Sequence, residues 1–202
     1  ISSQFITGLL FALPLLEGDS RIEVVGPLES KPYVDITLSV LEQAGIQIVE
    51  DKNSYIVKGH SSYRLPVGVR TEEDWSNYSF WFSYAALTGQ PVVAEHMNLR
   101  SRQGDKKILE GAETDATVRV HHGELKGIVI DATDIPDAIP VLAAVAAGAK
   151  GVTEVINAGR LRIKESDRLE STTQVLRALG AKIEELPEGL RIYGQSHLQG
   201  GA

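Results

Sequence analysis

Apolar positions along the chain switch between helical spacing and strand alternation, and the switches recur in a fixed order. Val34, Leu38 and Leu41 share one helix face, and the helix they predict closes at Gly45. Leu169, Leu176 and Leu179 do the same ahead of Gly180. A hairpin follows each of these helices. Ahead of each lies another apolar helix and then a strand: residues 3–13 before 21–25, and residues 136–147 before 152–156. Val40-Leu41, Gly45, Ile48, Val57 and Gly59 recur 135 positions later as Val175-Leu176, Gly180, Ile183, Ile192 and Gly194. Upstream of the second helix the offset is 131, so the connecting loop is four residues longer in the later copy.

A third copy lies between these two. Residues 75–87 predict an apolar helix, Thr88-Gly89 stops it, and Pro91-Val92-Val93-Ala94 starts a strand. Gln103-Gly104-Asp105 fills the loop where a second helix should begin, but residues 106–120 carry no clear helical period. The unit is therefore helix, strand, loop, helix, hairpin, roughly 60 residues long and present about three times, with the middle copy shortened. One such unit cannot bury its own helices, so copies should pack around shared cores. The predicted class is an α+β repeat architecture. Residues 61–73, with Pro66 and Gly68 and no strong period, mark the domain boundary, giving domains 1–70 and 71–202.

Composition narrows the function. The chain has 202 residues, 43% of them hydrophobic, and a net charge of −7. The length and hydrophobic content suffice for a sizeable core. The acidic balance argues against a nucleic-acid or membrane-surface role. Absent cysteine excludes disulfides, thiolate metal sites and a cysteine nucleophile. The apolar runs 5–16 and 138–149 are twelve residues each, below the roughly 20 that span a bilayer, and neither has the flanks of a signal peptide. The expected setting is intracellular and cytoplasmic.

Candidate chemistry collects at helix starts. Ser2-Ser3-Gln4 opens the first helix; Ser30, a candidate cap, with Pro32 in the first turn and Tyr33, opens the second. Asp134 and Asp137, then Lys164-Glu165-Ser166-Asp167-Arg168, open the corresponding helices of the last copy. Free N–H groups and the helix dipole suit a phosphate or carboxylate there, though the same hydroxyls and acids also serve as plain caps. Arg160-Leu161-Arg162-Ile163-Lys164 alternates like a strand with Arg160, Arg162 and Lys164 on one face. That face is either an anion-binding cluster beside the Lys164–Glu165 proton-transfer pair or a charged, protected edge. Asp137 reads as a first-turn acid or as a partly buried general base. His121-His122 would point to opposite sides of a strand, which makes a metal site improbable.

Taken together, Ser2-Ser3-Gln4-Phe5, Ser30-Lys31-Pro32-Tyr33, Asp74 with Ser76, Gln103-Gly104-Asp105, Ile135-Pro136-Asp137-Ala138 and Arg162-Ile163-Lys164-Glu165-Ser166-Asp167-Arg168 resemble, in order and spacing, the 5-enolpyruvylshikimate-3-phosphate synthases (3-phosphoshikimate 1-carboxyvinyltransferases). The resemblance implies the enolpyruvyl transferase fold, with six units in two inverse α/β barrel-like domains that close over the substrates. This chain would hold the last unit of one domain and two units of the other. It implies transfer of the enolpyruvyl group of phosphoenolpyruvate to the 5-hydroxyl of shikimate 3-phosphate with release of phosphate, in the shikimate pathway of aromatic amino-acid biosynthesis. No metal or organic cofactor is implied, and the whole enzyme would be a monomer.

The resemblance also implies roles. Ser2, Ser3, Gln4, Ser30 and Tyr33 would hold shikimate 3-phosphate. Asp137 would bind its ring hydroxyls and accept the proton of the attacking one. Lys164 would touch the same substrate and stabilise developing charge, Glu165 would handle the proton at the methylene carbon, and Arg168 would bind phosphoenolpyruvate. Arg160 departs from the family, some members of which carry a substrate-contacting Asn there. Members are also about twice this long, so the chain reads as an internal fragment, inactive alone. Two alternatives stand beside this reading: a UDP-N-acetylglucosamine enolpyruvyl transferase, which usually uses a Cys absent here, and a non-catalytic repeat module that binds a partner or an anion.

Overall fold

A computed structural model describes residues 3–109, 117–194 and 198–199. These divide into two compact units: 1–72 together with 100–104, and 73–99 together with 105–202. The division at Glu72/Glu73 falls at the end of the Pro- and Gly-containing stretch, and Arg100–Gly104 groups with the first unit rather than with the chain around it.

The first unit runs α1 (Ser3–Ala12), β1 (Ser20–Glu23), α2 (Lys31–Gln43), β2 (Ile48–Asp51) and β3 (Ser54–Val57). Its sheet has the order β1-β3-β2, both pairings antiparallel. Ile6 and Leu10 of α1, Val34 and Leu41 of α2, and Tyr55 and Val57 of β3 close one core, one stripe from each helix against one face of the sheet. Thr7 and Thr37 hydroxyls meet at 3.1 Å where the two helices touch, one to two turns in from their starts.

The second unit opens with α3 (Trp75–Thr88), β4 (Val92–Ala94) and β5 (Val118–Val120), the two strands paired antiparallel. Where the other copies place a second helix, residues Gly104–Leu109 form a 3₁₀ segment. Then come β6 (Val129–Asp131), α4 (Ile139–Gly148), β7 (Val152–Ile156), α5 (Arg168–Ala178), β8 (Lys182–Leu186) and β9 (Gly189–Tyr193). The sheet order is β6-β7-β9-β8, with β6 parallel to β7 and the other pairings antiparallel. Its β7-β9-β8 part repeats β1-β3-β2 of the first unit. Strand β6, three residues long, was not announced by the apolar periodicity. Ile139, Ala143 and Ala147 of α4, Leu169 and Leu176 of α5, and Val155, Leu190 and Ile192 of the sheet form the core. Trp75, Phe82, Ala94, Met97 and Val118 form a second cluster around α3.

The two glycine stops work alike. Gly45 has φ 80° and Gly180 φ 84°, conformations that side chains rarely adopt. Each lets the next amide reach back to the helix: Ile46 N–H donates to Leu41 O at 2.9 Å and Ala181 N–H to Leu176 O at 2.8 Å, the six-to-one bond of a Schellman end. Gly59 and Gly194 recur for a different reason. A Cβ on either would lie 2.4 Å from Gly18 O or 1.7 Å from Ala149 O, so the chain leaving each hairpin passes against backbone.

Candidate functional site

In the second unit the family-like acids and bases converge. Asp137 sits in a single 3₁₀ turn, Pro136–Ala138, that leads directly into α4. Proline in the first turn pre-sets the turn without losing a needed donor. Arg168 is the first residue of α5, and its Nη1 donates to Asp137 Oδ1 at 2.5 Å while Nη2 donates to Glu165 Oε2 at 2.9 Å. Lys164 Nζ lies 3.5 Å from the same Asp137 oxygen, an ion pair longer than a good hydrogen bond. The turn before α4 and the turn before α5 are thus clamped together by charge, 31 residues apart in sequence.

An arginine at the start of a helix opposes the helix dipole. The carboxylates around it offset that cost. Burial works against the charge on Arg168, but the hydrogen bonds and charges of Asp137 and Glu165 outweigh it and raise its pKa above the ordinary arginine value. Glu165 is open to solvent, its side chain 80% exposed. Its carboxyl is held below the usual range by its own backbone N–H and by Arg168. Asp167 caps α5, accepting from Leu169 N–H and Glu170 N–H at 3.0 Å each.

Arg162 does not belong to this group. Residues Gly159–Ile163 form a 3₁₀ turn, not the strand that basic–apolar alternation suggested. Leu161 N–H bonds back to Ala158 O, Leu161 is buried, and Ile163 is exposed, so the apolar pair is split rather than stacked on one face. Arg162 instead fastens the turn to the β8–β9 hairpin. Its guanidinium donates to Asp167 at 2.9 Å, Glu185 at 2.7 Å and the carbonyls of Leu186 and Pro187. The expected cluster of Arg160, Arg162 and Lys164 is therefore not formed as a common face; Lys164 alone of the three is shown paired with Asp137.

One further side chain near the site, Asp105, was left without a role by sequence reading. Asp105, the last residue of Gln103-Gly104-Asp105, is buried and bonds through Oδ2 to Ser76 Oγ in the first turn of α3. Asp74 caps that helix, accepting from Ser76 N–H and Asn77 N–H. A run of polar letters gives no sign that one of them is buried; the only sequence cue was the motif itself. Lys107, two residues on, pairs with Asp134 at 2.7 Å.

The first unit holds the other set. Ser2 lies outside the described residues. Ser3 is buried at the first position of α1 and Gln4 is exposed beside it. Ser30 is the residue before α2, but its side chain makes no capping bond. It has φ 56°, a left-handed conformation costly for a non-glycine residue, and its hydroxyl is buried without a hydrogen-bond partner among the described residues. The expectation of a serine cap is thus replaced by something less economical, a strained residue with an unused polar group. Tyr33 N–H donates to Ser30 O, and Thr37 Oγ donates to Tyr33 O, which ties Tyr33 to the α1–α2 contact. Lys31 bridges Asp35 at 2.5 Å and Glu50 at 3.2 Å, fixing the start of α2 to β2.

No group of three or more His, Asp or Glu side chains among the described residues could hold a metal ion. His122 Nδ1 bonds Ala86 O at 2.8 Å. No helix among the described residues is long and apolar enough to cross a membrane.

Comparison with known proteins gives this geometry a context. The family model described as EPSP synthase (3-phosphoshikimate 1-carboxyvinyltransferase) matches residues 1–202. A 3-phosphoshikimate 1-carboxyvinyltransferase of Clostridium perfringens is 46% identical over 211 residues, covering 100% of this chain and 49% of the relative. One of Clostridium kluyveri is 44% identical over 212 residues, again with 100% and 49% coverage. The chain spans about half the length of the curated relatives it matches. Among solved structures, EPSP synthase of Acinetobacter baumannii superposes with TM-score 0.80 at 25% identity over 98% of this chain and 48% of that one. The enolpyruvyl transferase NikO of Streptomyces tendae shares the fold, with TM-score 0.67 at 21% identity over 90% and 44%.

Proposed function

We propose that this chain, which belongs to the EPSP synthase family, carries part of the machinery that transfers the enolpyruvyl group of phosphoenolpyruvate to the 5-hydroxyl of shikimate 3-phosphate. The observation that carries the reading is the Asp137–Arg168–Glu165 chain with Lys164 against the same Asp137 oxygen. It puts a proton acceptor, two cations and an exposed carboxylate within reach of one small anion.

Each residue then has a chemical task. Asp137 takes the proton as the 5-hydroxyl oxygen attacks C2 of phosphoenolpyruvate. Lys164 stabilises the charge that grows during attack. Glu165 delivers a proton to the methylene carbon, giving a tetrahedral adduct, and later removes one as phosphate leaves and the double bond re-forms. Arg168 offers its planar fork to the anionic groups of phosphoenolpyruvate, exchanging a carboxylate partner for the ligand. In the first unit, Ser2, Ser3, Gln4, Ser30 and Tyr33 recognise shikimate 3-phosphate. A buried hydroxyl without a partner on a strained backbone is what a residue kept for a ligand looks like. We also place residues 1–70 as the last unit of one enolpyruvyl transferase domain, residues 71–202 as two units of the other, and the whole enzyme as a cytoplasmic monomer.

Calorimetric titration of the purified 202-residue chain with shikimate 3-phosphate, with UDP-N-acetylglucosamine as control, tests the assignment. Selective heat with shikimate 3-phosphate, lost in Ser30→Ala, is expected, and phosphate release from the chain alone is not. Heat with UDP-N-acetylglucosamine and none with shikimate 3-phosphate would move the reading to the other transferase.

A further inference from the structure

Asp105 is the buried carboxyl that the proposed mechanism does not use. It is 4% exposed, and its Oδ1 is enclosed with no hydrogen-bond partner among the described residues. Its shown partner is a neutral hydroxyl, Ser76 Oγ. Among the described residues, the charged groups that act on it come from three directions: Asp74 at the cap of α3, Asp137 in the turn before α4, and Lys164 before α5. Two of the three are anions. Lys164 lies against Asp137, 3.5 Å from its Oδ1.

An ionised carboxylate with one oxygen sealed from water and no donor facing it forfeits solvation that nothing replaces. A protonated carboxyl in the same place can donate to Ser76 Oγ and leaves a far cheaper orphan. We propose that Asp105 is a positioning residue that keeps its proton, fixing the first turn of α3 through Ser76 without adding a second negative charge beside Asp137. Burial first, and then the charges of Asp137 and Asp74, raise its pKa, against the hydrogen bond of Ser76 and the charge of Lys164. Asp137 is thereby left as the anion to which Arg168 and Lys164 respond. The use of Asp137 as a base rests on the function proposed above; the protonation of Asp105 does not.

The test is a carboxyl-carbon NMR titration of the full chain with labelled aspartate, with no substrate present. Asp105→Asn identifies the resonance by its loss. The Asp105 carbon is expected to hold the shift of a protonated carboxyl at neutral pH, its midpoint lying above the ordinary aspartate value of about 3.9 and higher still in Ser76→Ala, which removes the bond that lowers it. Asp105→Asn is expected to leave the Asp137 midpoint and the melting temperature unchanged, whereas Asp105→Ala lowers the latter. The shift of an ionised carboxylate at neutral pH, whatever the midpoint, overturns the proposal. So does a downward move of Asp137 in Asp105→Asn, since only a charged Asp105 could have been holding it up. Should Asp105→Asn fail to fold, the Ser76→Ala shift identifies the resonance instead. Because no ligand enters, failure here leaves the substrate assignment standing, and failure of the calorimetry leaves this one.

Discussion

The first and last copies of the repeat have the same element string and the same strand order, yet opposite chemistry at one place. With the 135-residue offset, Ser30 corresponds to Glu165, Pro32 to Asp167 and Tyr33 to Arg168, while the next position is a buried apolar residue in both, Val34 and Leu169. In the last copy the helix start is well satisfied: Asp167 caps α5, and Arg162 and Arg168 are ion-paired. In the first copy Ser30 makes no cap, sits at positive φ and leaves its hydroxyl without a partner among the described residues. Packing residues hold the repeat constant, and the three or four positions before each second helix are free to carry chemistry. A duplicated scaffold therefore lets two helix starts specialise without altering either core.

The sharpest way to test that division is to remove a charge from the last copy. In a full-length family member carrying this segment, Asp137→Asn should lower phosphate release by roughly 10²–10⁴ fold while leaving the melting temperature within a few degrees. A rate within a factor of about three of the parent would take general-base chemistry away from this residue. The scaffold has its own counterpart. Gly194→Ala forces a Cβ into Ala149 O and Gly59→Ala into Gly18 O, so each should destabilise by about 1–3 kcal/mol in denaturant melts, Gly194 more than Gly59. Unchanged midpoints would mean the loops move aside cheaply.

How much of this could be read from the letters follows the same division. Helices 31–43 and 168–178, their glycine stops and both hairpins were legible because burial imposes a period and a left-handed stop needs Gly. Residues 160–164 were not: five alternating residues fit a strand and a 3₁₀ turn equally, and what decides is Leu161 reaching the core while Arg162 reaches across to the β8–β9 hairpin. Ser30-Lys31-Pro32 spelled a capped helix start, since backbone handedness at a serine leaves no trace in sequence. Asp105 was placed only in a loop, and nothing in the letters marked it as buried. Asp137, Lys164, Glu165 and Arg168 stood out at helix starts and took their roles from the resemblance, and the folded chain adds that they share one ion-paired cluster.

The smallest effects separate the two helix starts most cleanly. Asp167→Ala removes two backbone hydrogen bonds and a partner of Arg162, and should lower the melting temperature by roughly 2–4 °C. Ser30→Ala removes no bond among the described residues and should leave it unchanged, costing only ligand affinity. The two also differ in pH dependence. The Glu170 N–H bond, with further help from Arg162 and the Leu169 N–H and against the effect of burial, lowers the Asp167 pKa below its ordinary value. A lowered acid stabilises the fold above its unfolded pKa of about 3.9, and that contribution fades as pH falls through the lower folded value. Melting curves of the parent and Asp167→Asn should therefore differ at pH 7 and converge in acid, while any Ser30→Ala difference stays flat. A parent–Asp167→Asn difference that persists undiminished below pH ~2 would show that the cap works through shape rather than charge.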